Sequence, residues 1–125
     1  MKRFYILSLT AFLCVLCASA QSYYITGSAV PGGKTIPLEK WDDGSYKFHG
    51  TLLPGDLYII NTPEIGAITQ YYAPQQVNSN IVCNGIQALL KRSADAAAWA
   101  VLFEADNYRF TISPSRLVTG EVFTW

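Results

Sequence analysis

The chain has 125 residues, of which 50% are hydrophobic and 14% charged, with nine basic and nine acidic side chains. A net charge of zero without a basic stripe excludes nucleic acid as a partner and leaves no polybasic anchor for a lipid surface. The length suits one domain of ordinary size.

The first twenty residues have the pattern of a secretory signal. A basic start at residues 1–3 precedes an apolar run over 4–17, which is short for a membrane span. The run closes in Ala18-Ser19-Ala20, a small-x-small cleavage motif. We predict cleavage after Ala20, export to the periplasm or the outer-membrane surface, and one domain over residues 21–125.

Removal of this signal changes both the charge and the cysteine content. Loss of Lys2 and Arg3 from the nine basic residues leaves seven against nine acidic ones, a net charge of −2. Cys14 and Cys17 also leave, so no second cysteine remains to pair with Cys83. We interpret Cys83 as a buried small apolar residue rather than a catalytic thiol. Lipidation of Cys17 is the weaker alternative to cleavage, because the residue before it is large where a small one is expected.

Turn signals recur about every eight to twelve residues, which is typical of a β-sandwich or barrel. The segments between them are rich in Tyr, Ile, Val, Phe and Thr, which favour strands. They predict nine strands, at residues 22–28, 36–41, 45–52, 56–61, 68–73, 80–83, 99–104, 107–112 and 116–123. The Asp43-Gly44 turn predicts a hairpin between the second and third of them.

Two of these segments, residues 45–52 and 107–112, alternate between apolar and polar side chains with a period of two. In the first, Tyr46 and Phe48 share one face while Lys47 and His49 share the other. In the second, Tyr108, Phe110 and Ile112 oppose Asn107, Arg109 and Thr111 in the same way. We expect the aromatic faces to lie in the core and the polar faces towards solvent.

The segment 85–98 fits two interpretations. Its Ala, Leu, Lys and Arg residues form helices readily, and Ile86, Leu89 and Leu90 would share one side of a short helix. A strand over 86–91 followed by an Ala-rich loop fits equally. We favour the strand and loop because the neighbouring segments are all predicted strands.

The sequence indicates no catalytic constellation, and we predict a protein that is not an enzyme. His49 is the single histidine, and no Gly-x-Ser-x-Gly elbow accompanies it. An enzyme that uses His49 is therefore the weakest of three functional hypotheses. The acidic pair Asp42-Asp43 is explained by a turn, and no cluster has metal-ligand spacing, so no metal or cofactor is predicted.

Aromatic residues are the feature left for function. Adjacent rings in Tyr23-Tyr24 and Tyr71-Tyr72 point to opposite faces of a strand, so we expect one ring of each pair outside. Trp41 precedes a turn and Trp99 follows an Ala-rich stretch, and the sequence leaves the burial of both open. Exposed rings of this kind can stack on the apolar face of a sugar.

Residues 22–60 resemble modules of the SusE/SusF-type outer-membrane glycan-binding proteins. The resemblance rests on Tyr24-Ile25-Thr26-Gly27-Ser28-Ala29 with Pro31-Gly32-Gly33, then Leu38 to Gly44, then Tyr46 to Asp56. It implies an immunoglobulin-like β-sandwich in a polysaccharide-uptake system, here as a truncated or single-module member. Two positions depart from the family pattern: Lys34 stands where a Trp is frequent, and Tyr58 stands where a sugar-binding lysine is expected.

The resulting hypothesis is an all-β, immunoglobulin-like sandwich that binds a polysaccharide or oligosaccharide without catalysis. Its partners would be the glycan and possible outer-membrane uptake proteins or further modules of its own. The alternative is a structural or protein-interaction module without sugar affinity. The candidate ligand-binding residues are Lys34, Trp41, Tyr58, Tyr71, Tyr72 and Trp99.

Overall fold

A computed structural model describes residues 22–94 and 96–123. The predicted signal over residues 1–20 and its cleavage point lie outside the described residues, so the signal stays a prediction. The described residues include no helix long and apolar enough to cross a membrane. They form an all-β sandwich of two packed sheets, which confirms the predicted fold class; the immunoglobulin-like subtype stays a prediction.

The first sheet has seven strands. They are β1 (Tyr24–Thr26), β2 (Ile36–Pro37), β5 (Gly55–Ile60), β6 (Tyr71–Ala73), β7 (Ser79–Asn80), β9 (Leu89–Lys91) and β10 (Trp99–Val101). The main path runs β2-β1-β5-β10-β7, and β6 joins β5 to β9. All pairs are antiparallel except β7 with β10, which is parallel.

The second sheet has five strands in the order β3-β4-β11-β12-β8. They are β3 (Glu39–Lys40), β4 (Tyr46–Leu52), β8 (Cys83–Gln87), β11 (Ala105–Ile112) and β12 (Leu117–Val122). The predicted hairpin at Asp43-Gly44 is confirmed, since β3 pairs with β4 around it and Gly44 takes a φ of 87°. Asp43 Oδ1 accepts hydrogen bonds from the Ser45 amide and hydroxyl, which lowers the pKa of its carboxyl group.

The described residues contain twelve strands, more than the nine predicted, because two segments bend and change sheets. The predicted strand 36–41 divides at Leu38, whose amide bonds the Tyr23 carbonyl at 2.9 Å. Residues 83–91 divide at Ala88, whose amide bonds the Arg116 carbonyl at 2.8 Å. Bends of this kind make the corners of a sandwich. The described residues of 85–98 are therefore strand and then loop, as favoured, and not a helix.

The core lies between the sheets, where the inward residues of both interdigitate. Tyr46, Phe48, Tyr108 and Phe110 are at most 8% exposed, which confirms their predicted inward direction. The Phe48 and Phe110 rings lie 5.2 Å apart across the pair β4–β11. A smaller cluster covers the outer face of the first sheet, formed by Ile60, Tyr71, Ala73 and Ala97, with Tyr24 and Tyr58 packed against it.

This smaller cluster corrects one expectation. Tyr71 and Tyr72 do point to opposite faces, but neither is fully exposed, because the segment that carries Ala97 covers the outer face at Tyr71. Tyr23 and Tyr24 are likewise both half-buried. The period of two in a strand predicts that adjacent side chains point to opposite faces of the sheet. It does not predict whether a distant loop covers one of those faces.

Candidate functional site

Trp41 lies at the end of the short strand β3, where the hairpin turn begins. Its amide donates to the Ser45 carbonyl at 2.8 Å, and its carbonyl accepts from the Gly44 amide at 3.0 Å. These two bonds hold the backbone of Trp41, while its side chain is 48% exposed. The turn therefore presents a fixed but solvent-facing indole.

The outward residues of the second sheet surround this indole. Lys47 on β4 places its Nζ 3.8 Å from the centroid of the Trp41 ring, a cation–π contact. His49, also outward on β4, lies opposite Arg109 of β11 in the strand register. The exposure of His49 confirms that it belongs to the solvent face and not to the core.

A shallow groove of about 340 Å³, the Trp41 groove, is lined by Glu39, Trp41, Lys47, Phe48, His49 and Arg109. The pairing of β3 with β4 ends at Lys47, so from Phe48 onward β4 is uncovered on that side. A second groove continues along this edge past Lys34, Ile36 and Thr51, and it shares Phe48 and His49 with the first. Lys34 and Trp41 thus border one continuous surface.

The electrostatic character of this surface is mainly cationic. Lys47, Arg109 and Lys34 border it, whereas Glu39 supplies a carboxylate. The guanidinium of Arg109 is also held over the Phe123 ring, 4.7 Å from its centroid. Lys47 lies over one face of the Trp41 ring, so a ligand could stack only on the other face, with the neighbouring N–H groups available as hydrogen-bond donors.

The other four predicted site residues lie elsewhere. Tyr58 and Tyr71 meet edge to face at 5.8 Å in the smaller cluster, and Tyr71 is only 4% exposed. Trp99 is completely buried in the main core, and its Nε1 donates to the Tyr72 carbonyl at 2.9 Å. A ring without exposed faces cannot stack on a ligand, so Trp99 and Tyr71 are removed from the candidate site.

Tyr72 itself lies in a separate cavity at one end of the sandwich. This cavity, the tyrosine pocket, has a volume of about 530 Å³ and is lined by Tyr23, Lys40, Gly44, Tyr46, Tyr72, Leu90, Ser113, Pro114 and Arg116. The structure therefore brings Lys34 and Trp41 to one surface but separates them from Tyr58 and Tyr72.

Sequence reasoning missed Lys47, Arg109 and most of the tyrosine pocket. The alternation in 45–52 and 107–112 already placed Lys47, His49 and Arg109 on outward faces. The signal that could have identified them is that these two strands pair, which brings their outward residues side by side. No local pattern links Tyr23 with Arg116, which are 93 positions apart.

No group of three or more His, Cys, Asp or Glu side chains that could hold a metal ion occurs within residues 22–94 and 96–123. In comparisons with known proteins, no family model, no curated protein and no solved structure matches the chain.

Proposed function

We propose that the protein is an exported, non-catalytic glycan-binding module that takes up a polysaccharide or oligosaccharide chain at the Trp41 groove. The observation that carries the proposal is the exposed Trp41 indole, held by the hairpin turn beside the cationic side chains of Lys47 and Arg109. The same module would work in an outer-membrane glycan-uptake system of the SusE/SusF type.

The chemistry of the groove supports a neutral or weakly acidic sugar chain. A pyranose ring places C–H groups on an aromatic face and hydroxyl groups around its rim, and a stacked aromatic contact contributes about 0.5–1.5 kcal/mol beyond area burial. Lys47, His49 and Arg109 surround Trp41 with N–H donors. The open edge at β4 lets a chain continue towards Lys34, so the groove suits an extended polymer better than a small molecule.

One hydrogen bond supports the finer proposal of an immunoglobulin-like sandwich. The Tyr108 hydroxyl, near the start of β11, donates to the Phe103 carbonyl five residues upstream at 2.5 Å. Immunoglobulin domains carry a tyrosine with this type of upstream bond at the corner between two strands. The family resemblance of residues 22–60 predicts the same subtype.

Glycan binding is tested by retention on a panel of insoluble polysaccharides and by a glycan array. We expect retention on at least one polysaccharide, and we expect Trp41→Ala to weaken it about tenfold, because the stacking surface is lost. Ile68→Ala is the matched control, since Ile68 is 83% exposed but lies outside the Trp41 groove. Absence of retention on every glycan, or equal loss in both variants, would contradict the proposal.

A second candidate function is protein interaction without sugar affinity. The observation that favours it is the adjacent pair Leu102 and Phe103, which are 64% and 45% exposed between β10 and β11. Light scattering would then report an oligomer that dissociates in Leu102→Ser, while no glycan is retained. A monomer that binds glycan decides in favour of the first proposal.

A further inference from the structure

The tyrosine pocket is built by both sheets at one end of the sandwich. The first sheet contributes Tyr72 of β6 and Leu90 of β9, with Tyr23 immediately before β1. The second sheet contributes Lys40 and the turn between β11 and β12. The cavity of about 530 Å³ is within the range of about 300–1,000 Å³ that is usual for small-molecule sites.

Three tyrosine rings form one wall of this pocket. The Tyr23 ring lies 4.7 Å from both the Tyr46 ring and the Tyr72 ring, with interplanar angles of 68° and 55°. Tyr46 is 6% exposed, whereas Tyr23 and Tyr72 are half-buried. The wall therefore offers aromatic surface to a ligand, mainly from the half-buried Tyr23 and Tyr72.

The charged residues that line the pocket are both cationic. Arg116 and Lys40 border the pocket, and its lining residues include no carboxylate. Burial raises the pKa values of both half-buried tyrosines, and the nearby positive charge of Arg116 lowers them by a smaller amount. The pKa values of Tyr23 and Tyr72 remain raised overall, so both phenols are neutral donors at physiological pH.

The backbone holds Arg116 firmly in this position. Its φ is 64°, in the left-handed region that residues other than glycine and asparagine seldom adopt. Its amide donates to the Ser113 carbonyl at 2.8 Å, and its own carbonyl accepts from the Ala88 amide at 2.8 Å. Ser113 also accepts, through Oγ, a bond from the Leu117 amide at 3.1 Å. The turn between β11 and β12 therefore fixes the backbone of Arg116 at the border of the tyrosine pocket.

We propose that the tyrosine pocket binds a carboxylated pyranose, the ring of a uronic acid, with its carboxylate on Arg116 and Lys40. The guanidinium matches a carboxylate with two parallel hydrogen bonds, and the ammonium adds a second charge-assisted bond. The tyrosine wall packs against the sugar ring. A free inorganic anion has no such ring and would lack this contact. This site is separate from the Trp41 groove, and the inference does not depend on the function proposed there.

The test is isothermal titration of the chain with a galacturonate disaccharide, the matching neutral galactose disaccharide, inorganic phosphate and inorganic sulfate. We expect the acidic disaccharide to bind at least tenfold more tightly than each of the others, with an affinity that falls as salt is raised. Equal affinity for the neutral sugar, binding of phosphate or sulfate as tightly as of the disaccharide, or no binding at all overturns the proposal.

Variants locate the site. Arg116→Asn removes the guanidinium and keeps a residue that tolerates a positive φ, so the turn is retained. It should weaken the acidic disaccharide tenfold or more, and Lys40→Ala should weaken it several-fold. Arg92→Asn is the control, because it removes an exposed cation that lines neither the tyrosine pocket nor the Trp41 groove, and it should leave this affinity unchanged. If Arg116→Asn melts like the parent and binds equally well, or if Trp41→Ala alone abolishes binding, the pocket is not the site.

Discussion

The indole of Trp99 donates a 2.9 Å hydrogen bond from Nε1 to the backbone carbonyl of Tyr72. This bond joins β10 to β6, whose Tyr72 side chain forms part of the tyrosine pocket. Trp99 is thus a structural residue that supports a neighbouring site from inside the core, whereas Trp41 is a surface residue. The two tryptophans should respond to substitution in opposite ways.

We expect Trp99→Ala to lower the free energy of unfolding by about 3–5 kcal/mol, because it removes a fully buried aromatic ring and leaves a cavity. Trp99→Phe should cost about 1–3 kcal/mol, since the Tyr72 carbonyl loses its donor. Trp41→Ala should cost no more than about 1 kcal/mol, the contribution of an exposed cation–π contact. Urea unfolding measures all three. A larger loss in Trp41→Ala than in Trp99→Ala would contradict the burial pattern.

Gly120 of β12 allows a close approach of the chain that follows β7. A Cβ atom at this position would lie 1.9 Å from the Ile81 carbonyl oxygen, which belongs to the backbone and cannot swing aside. We expect Gly120→Ala to cost about 3 kcal/mol or more in urea unfolding. The control is Gly66→Ala, because nothing lies within 4 Å of its Cβ position, and we expect a change within about 0.5 kcal/mol. Similar costs for the two variants would refute this account.

Burial raises the pKa values of Tyr23, Tyr72 and Tyr108 above the ordinary value of 10.0. The folded chain therefore retains these protons at a pH where the unfolded chain has lost them. Their contribution to stability is fully present below pH 10.0 and is lost as the pH rises above that value. Urea unfolding between pH 8 and 11 should show this loss.

Tyr108→Phe isolates one of these groups. At pH 7 it should cost about 1 kcal/mol through the lost bond to the Phe103 carbonyl. Above pH 10 the slope of stability against pH should be shallower than in the parent, because one titrating phenol is absent. An identical slope in parent and variant would show that Tyr108 titrates alike in the folded and unfolded states.

Cys83 is half-buried, and its Sγ–H donates to the Val118 carbonyl at 3.1 Å. Burial raises the pKa of the thiol, so little reactive thiolate is present at pH 8. A disulfide reagent such as Ellman's should therefore react at least tenfold more slowly in buffer than in 8 M urea. Cys83→Ser provides the blank for the colour change. Equal rates in the two solvents would show that the thiol is open to solvent.

Several elements could be predicted from the sequence because their causes are local. The alternation of Tyr46, Lys47, Phe48 and His49 assigns faces within a strand by geometry alone. The Asp43-Gly44 turn specifies a hairpin, because glycine adopts a positive φ without steric cost. The chain passes from one sheet to the other at Leu38 and at Ala88. These two positions were not predictable, since each depends on a hydrogen bond to a residue distant in sequence.

The candidate site divides in the same way. An outward Lys47, an outward His49 and a turn at Trp41 follow from the sequence, and so does the all-β class. Which aromatic rings are covered was decided by tertiary packing: the loop carrying Ala97 covers Tyr71, and the two sheets enclose Trp99. The tyrosine pocket is also a tertiary product, because only the closure of two sheets brings Tyr23 and Arg116 together. A period of two determines which residues share a face, but long-range pairing determines what that face meets.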